Sequence, residues 1–446
     1  MMQGFYWDCP EGWYVNHMQP RAAELKNMAG GFGIRRMWFP PPSKGGSGGY
    51  SMGYDPTDYY DLGTYNQYGR VATRFGTQAE LKNCLTAYRN QGIACMADVV
   101  LNHRTGGASE WNPNTNSNTW TNFNGVLSGK CKWRYNQFHP STFAFSDPGA
   151  FGGYPDACHA TGNVVGQPYK DLIDWGNWLK VNSNAGFNGG WRYDYVKGIN
   201  NWYVRDHRNS TGGMFCVGEY WDANTALLDS WANDTGCSVF DFASYYTLRD
   251  ICNNGGGGGH LPNLVDPGKS YAKLNPWRAV TFCGNHDTDE ITRDKMLGYA
   301  YILTYQGYPC IWWKDYFNYG LASLGGQWGN GIKQLVWCRE KLAGGGPNVR
   351  NLKTDDGDLL MYEDQDGTAS SPGYVVALND SASAWRGSWV NVVNPNLRNK
   401  TLKCYAWYSP VSGQNYQPAN KVCDGNGWVE LWAPPRGYAV YAPTGY

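Results

Sequence analysis

Residues 190–221 read GWRYDYVKGINNWYVRDHRNSTGGMFCVGEYW. Trp191–Val196 is a short apolar run of strand length, Asn201–Arg208 is helical in character, and Met214–Tyr220 is a second apolar run. Gly and Asn punctuate the joins. One strand–helix–strand unit is therefore complete within about 30 residues, the length of a βαβ unit. The same alternation extends outward in both directions. Downstream, Thr225–Trp231 reads as a helix, Ser238–Phe242 as a strand, Tyr245–Cys252 as a helix and Arg278–Cys283 as a strand. A helix over 293–305, a strand over 310–313 and a helix over 332–342 follow. Upstream, the strands are Gln3–Trp7, Ile34–Phe39 (stopped by Pro40 to Pro42) and Ile93–Leu101. The upstream helices are Gln19–Met28, Thr77–Asn90 and Tyr169–Val181. Eight strand–helix pairs predict an α/β protein built on a (β/α)8 TIM barrel.

Two stretches break the alternation. Residues 104–168, after the third strand, are rich in Asn, Gly, Ser, Thr and Trp and lack periodicity; a loop of that length implies an inserted subdomain. From 355 onward helical spacing disappears, and short strands such as Leu359–Tyr362, Tyr374–Leu378 and Trp428–Trp432 alternate with Gly, Asn and Pro turns. That is the pattern of an antiparallel β-sandwich. The expected domains are thus 1–103 with 169–354 (barrel), 104–168 (insertion) and 355–446 (sandwich).

The 446 residues carry 37 basic and 37 acidic side chains, a formal charge of zero, and no basic block. Nucleic acid and anionic membrane surfaces are excluded as natural partners. Aromatics make up 16% of the chain against 17% for charged residues. Such a surface suits a neutral polar ligand whose apolar faces pack on flat rings. The uncharged stretch Met296–Trp313 is broken by Gln306, Gly307 and Pro309 and does not read as a membrane span. Thirteen cysteines without a CxxC pair argue for disulfides rather than zinc, hence for a secreted, extracellular protein whose signal peptide has been removed.

Reacting groups of such barrels lie at the C-terminal ends of strands. Asp194 ends the fourth, Glu219 the fifth and Asp287 the seventh. Arg192, two before Asp194, shares its face, and a cation there keeps a nucleophilic carboxyl ionised. Glu219, with two other carboxylates nearby, is expected to have a raised pKa, as a general acid requires. Two carboxyls of opposed tuning are the equipment for glycoside hydrolysis, and a retaining reaction needs them ~5–5.5 Å apart.

Four ordered blocks carry a family resemblance: Asp98-Val-Val-Leu-Asn102-His103, Trp191-Arg-Tyr-Asp194-Tyr-Val-Lys197-Gly198, Val217-Gly-Glu219-Tyr-Trp221 and Asn285-His-Asp287-Thr288. They resemble the α-amylase family (glycoside hydrolase family 13), especially plant α-amylases and bacterial maltooligosaccharide-forming amylases. Gly53-Tyr54 and the stretch Gly298–Thr304 add to the match. The resemblance implies a monomeric hydrolase of α-1,4-glucosidic bonds in starch and maltooligosaccharides. Asp194 would be its nucleophile, Glu219 its acid/base and Asp287 a transition-state stabiliser. Tyr54, His103, Arg192 and His286 would line the subsite of the cleaved ring, Lys197 would reach the leaving-group side, and Asp98 would support Arg192.

The resemblance further implies one Ca2+ held by Asn102, Asp156 and the carbonyl of Gly198, an oxygen set suited to a hard cation. Ala157 and Cys158 stand where a second acid is usual, so Asp147 and Asp171 remain alternative ligands. Cys216–Cys252 matches a bridge in the maltooligosaccharide-forming relatives. Cys131 with Cys158, and Cys404 with Cys423, are the other expected pairs, with connectivity open. A transglycosylase shares the same residues, and a non-catalytic sugar-binding barrel usually lacks one of the acids. Cyclising transferases usually carry domains beyond the sandwich, which favours a hydrolase.

Overall fold

A computed structural model describes every residue except 144–148, 150, 161–165, 182–185, 255–258, 326–329 and 346–347. Asp147 and most of the Gly255–Gly259 loop fall outside the described residues. Eight parallel strands close into a barrel in chain order: β1 (Met2–Gln3), β2 (Arg36–Phe39), β3 (Ala94–Val99), β4 (Trp191–Tyr193), β5 (Cys216–Gly218), β6 (Ser238–Phe240), β7 (Ala279–Phe282) and β8 (Tyr308–Trp312). All but β8 are shorter than their apolar runs, because the chain leaves the ladder where functional residues begin. The expected strand Gln3–Trp7 contributes only its first residue: the backbone turns at Asp8 (φ 60°) and leaves Trp7 49% exposed.

Among the barrel helices, Gln78–Asn90 starts at Thr77, whose hydroxyl accepts from the Glu80 N–H while Glu80 reaches back to the Thr77 N–H. This capping box satisfies two otherwise orphaned donors. Its buried face is the expected Leu81, Cys84, Leu85 and Tyr88. Every residue of the helix Lys295–Thr304 is buried, because it lies between the barrel and the C-terminal domain. That explains its lack of a polar face. No helix among the described residues is long and apolar enough to cross a membrane.

The insertion contains an antiparallel ribbon, Ala108–Asn112 with Ser117–Asn122. Arg104 ties it to the barrel. Fully buried, its guanidinium lies 3.9 Å from the Phe123 ring centre and 4.9 Å from that of Trp133, and it donates to the carbonyls of Thr57 and Cys131. Stacking and forked donation together are what a guanidinium does and an ammonium cannot.

The C-terminal domain comprises β9 (Val349–Asp356), β10 (Leu359–Asp364), β11 (Val375–Asn379), β12 (Arg386–Asn391), β13 (Lys400–Tyr408), β14 (Lys421–Cys423), β15 (Trp428–Ala433) and β16 (Gly437–Pro443). An antiparallel sheet in the order β9-β10-β11-β16-β13-β14 packs one face on the barrel; β12 and β15 form a ribbon over the other. The sheet begins at Val349, ahead of the boundary expected at 355, because β9 is polar and only half-buried.

All thirteen cysteines are buried free thiols, which corrects the three expected disulfides. Ser238 pairs with Val217, so Cys237 rather than Cys252 stands beside Cys216. Cys252 packs with Cys283 against Gly298 instead. Cys158 hydrogen-bonds His139 and Ser141, whereas Cys131 lies at Arg104. Cys423 pairs across the ladder with Lys400, four positions from Cys404.

Candidate active site

Register brings the site together. Asp98 on β3 pairs with Arg192 on β4, and Arg192 with Val217 on β5. Tyr193 pairs with Gly218, so Asp194 and Glu219 leave neighbouring strands at one level. The ladder persists there: the N–H of Glu219 donates to the Tyr193 carbonyl at 3.0 Å. A Cβ on Gly218 would lie 2.1 Å from the Trp231 ring, so glycine lets that indole seat the strand behind Glu219. At Tyr195 the backbone turns sharply (φ 42°), and its N–H donates to Glu219 Oε2 at 3.2 Å. A bulky residue at positive φ is a strained conformation held by its surroundings.

One guanidinium serves three acids. Arg192 Nη1 lies 3.0 Å from Asp98 Oδ1 and 2.6 Å from Asp194 Oδ1, and Nη2 lies 2.5 Å from Glu219 Oε1. All four residues are buried. Asp98 also accepts from Trp38 Nε1 (3.0 Å) and the Tyr54 hydroxyl (2.7 Å). Arg192, expected among the residues lining the sugar subsite, instead lies wholly beneath the acids. Burial dominates the electrostatics. It pushes Glu219 up to about 8 against the pull of Arg192, with Asp194 and Asp287 adding a smaller upward push. The neighbouring carboxylates, expected to raise Glu219, are thus secondary to desolvation. Burial likewise lifts Asp98 to about 6 despite Arg192.

Asp287 goes the other way. Burial would raise it, but the charge and hydrogen bond of His286, whose Nε2 lies 3.0 Å from Oδ2, hold it below the ordinary carboxylate range. Gln3 Nε2 stands 2.8 Å from His286 Nδ1, on the side of the ring away from Asp287.

The three acids open into a cleft of about 590 Å³ that also receives Tyr54, His103, Lys197 and His286. Tyr54 stacks on His286 at 4.9 Å and 4°, and Trp7 lies nearly parallel to both, 6.1 Å from Tyr54 and 6.4 Å from His286. His103 bonds the Tyr54 carbonyl at 2.8 Å and stacks on Phe151. Lys197 at the rim pairs with Asp222 at 2.7 Å. Trp7, Tyr50, Phe151, Tyr154 and Trp221 also line the cleft. Trp221 closes one of the four ordered blocks, though the resemblance gives it no role; the other four sit on loops without periodicity, where the chain's excess of Trp and Tyr is the available signal.

Of the expected metal ligands, Asn102 adjoins Gly198, and the backbone around Asp156 runs beside that of Asn102 and His103. Asn102 is fully buried, and its Oδ1 has no hydrogen-bond partner among the described residues. A Cβ on Gly198 would stand 2.1 Å from that oxygen and 2.7 Å from the Gly149 carbonyl. Asp156, buried, bridges the backbone of His103, and the Ala157 N–H donates to the Asn102 carbonyl at 2.9 Å. The buried amide oxygen of Asn102, unpartnered among the described residues, is of the donor type that a hard cation takes. Asp171 is engaged elsewhere, accepting from Trp133 Nε1 at 2.8 Å and the Gly166 N–H at 2.9 Å.

Comparison with known proteins agrees with this geometry. The family model described as α-amylase C-terminal matches residues 374–442. The chain is 30% identical to a glucan 1,4-α-maltohexaosidase of Bacillus sp. (strain 707), covering 97% of this chain and 92% of that protein. It is 29% identical to an α-amylase of Geobacillus stearothermophilus, covering 88% and 79% respectively. In three dimensions it resembles CldA, a cyclomaltodextrin glucanotransferase with three domains (TM-score 0.68, 20% identity, 96% of this chain and 90% of that one), a likeness of fold alone. That three-domain structure departs from the expectation that cyclising transferases usually carry domains beyond the sandwich, so domain count does not separate transferase from hydrolase. With identity sustained along nearly the full length of both chains, this protein belongs to the α-amylase family, glycoside hydrolase family 13.

Proposed function

We propose that the protein is a retaining glycosidase that cleaves α-1,4-glucosidic bonds of starch and maltooligosaccharides. The observation that carries the reading is Arg192 touching both Asp194 and Glu219 at the floor of an aromatic cleft. Glu219, still protonated at neutral pH, donates its proton to the glycosidic oxygen as Asp194 attacks the anomeric carbon. The leaving sugar departs with that proton, and a glycosyl ester forms on Asp194. Glu219, now ionised, takes a proton from water, whose oxygen displaces Asp194. Asp287, held low by His286, accepts hydrogen bonds from sugar hydroxyls as the ring flattens. The stack of Tyr54, His286 and Trp7 offers apolar faces to the sugar.

Asn102, Asp156 and the carbonyl of Gly198 are the proposed Ca2+ ligands, supported by the amide oxygen of Asn102, which has no partner among the described residues. The ion would tie the insertion to the barrel beside His103 and supply no reacting atom. Transglycosylation by the same residues differs only in the acceptor that attacks the ester. The two relatives at 29–30% identity, both hydrolases by name, favour water. Asp194→Asn and Glu219→Gln should each lower turnover of soluble starch by at least about 10³-fold with the fold intact, since such residues act as a unit. A variant keeping a tenth of wild-type turnover would exclude that residue from its role.

A further inference from the structure

We propose that the outer face of the β12–β15 ribbon is a second α-glucan-binding surface, remote in sequence from the cleft and built on Trp389, Trp428 and Trp432. The ribbon has one dry face, which puts Val390, Val429, Leu431 and Ala433 into the domain core. The alternate residues point outward. In register, Gly387 faces Trp432, Trp389 faces Glu430, and Asn391 faces Trp428. Trp389 is therefore the diagonal neighbour of both Trp428 and Trp432 on one surface, at spacings of ~7–8 Å. Trp389 is 63% exposed and Trp428 47%.

These indoles are not needed to close the core, which the inner residues already fill. Trp432 does cover one bare spot. A Cβ on Gly387 would lie 2.4 Å from its ring, so the indole packs against the glycine backbone and stays partly exposed. Between the rings the polar groups are balanced. Glu430 is paired with Lys421 at 3.2 Å, and Asn391 donates to the Asn426 carbonyl at 2.8 Å. Flat rings, no net charge and a rim of hydrogen-bonding groups are complementary to a neutral polyhydroxylated chain whose pyranose rings have apolar faces. An exposed ribbon with three tryptophans is otherwise a liability that soluble proteins avoid. The choice of an α-glucan rests on the functional reading above.

The test uses granular starch as probe. In a Glu219→Gln background, which leaves the granules intact, Trp389→Ala with Trp428→Ala should weaken granule binding about tenfold, the loss expected on deleting an aromatic platform. The same pair of substitutions in the active enzyme should leave kcat/KM on maltoheptaose unchanged, because neither residue lines the cleft. Trp389→Ser alone, at an exposed position, keeps the test open should the double variant fold poorly. Granule binding equal to that of the parent overturns the proposal. So does a parent that sediments as a dimer and a double variant that sediments as a monomer, which would make the ribbon a self-contact. A parent inactive on maltoheptaose would overturn the functional reading, and the surface proposal with it; full activity with unaltered granule binding overturns the surface alone.

Discussion

Nη2 of Arg192 lies 2.5 Å from Oε1 of Glu219, yet Glu219 is pushed up to about 8. A permanent cation at contact distance would ordinarily favour the carboxylate. It fails here because the residue is buried and the same guanidinium is shared with Asp98 and Asp194. Three acids divide one positive charge, so desolvation prevails.

The consequence is a pH dependence of defined sign. Glu219 must be protonated to donate, so kcat/KM should hold through neutral pH and fall as pH rises through about 8. The folded state binds this proton more tightly than the unfolded chain, so stability contributed by the neutral form is lost as pH climbs from about 4.5 to about 8. Glu219→Gln removes that loss. Its melting temperature should exceed wild type at pH 9 and match it at pH 4, read by thermal unfolding at both. An equal offset at the two pH values would contradict the assignment.

Stereochemistry gives an independent check on Asp194. Double displacement through a glycosyl ester returns the starting configuration, so the reducing end released from starch should be the α-anomer. Proton NMR in the first minutes, before mutarotation, reads it directly. An initial excess of β-anomer would remove Asp194 as nucleophile.

Calcium should act on stability. Chelation is expected to lower the melting temperature by several degrees and excess Ca2+ to restore it, by mass action on the folded state. Asn102→Ala should abolish the restoration, because it deletes the buried oxygen that has no partner among the described residues. Elemental analysis finding no calcium, with melting indifferent to chelator, would dismiss the site.

Tyr54 is tied to the acids by its hydroxyl, 2.7 Å from Asp98 Oδ2, while its ring stacks on His286. Tyr54→Phe keeps the ring and deletes the donor. A hydrogen bond to a charged group contributes about 1.5–3 kcal/mol, so kcat should fall by roughly 10- to 100-fold with KM little changed. A large rise in KM with kcat intact would instead assign the hydroxyl to substrate binding.

The barrel, the order of its strands and the three acids were legible along the chain, because each rests on a local signal: apolar runs of strand length, helical spacing, and carboxyls where the runs stop. Asp194 and Glu219 at one level follow from adjacent strands of matched register, which a repeat of 25 residues already implies. Only the tertiary structure decided the rest. The thiols follow inter-strand register rather than sequence separation, so Cys216 meets Cys237. The aromatic wall from Trp7 to Tyr154 is assembled from loops that carry no period. The raised pKa of Glu219 stems chiefly from burial, a property of everything packed around a residue and of nothing next to it in the chain.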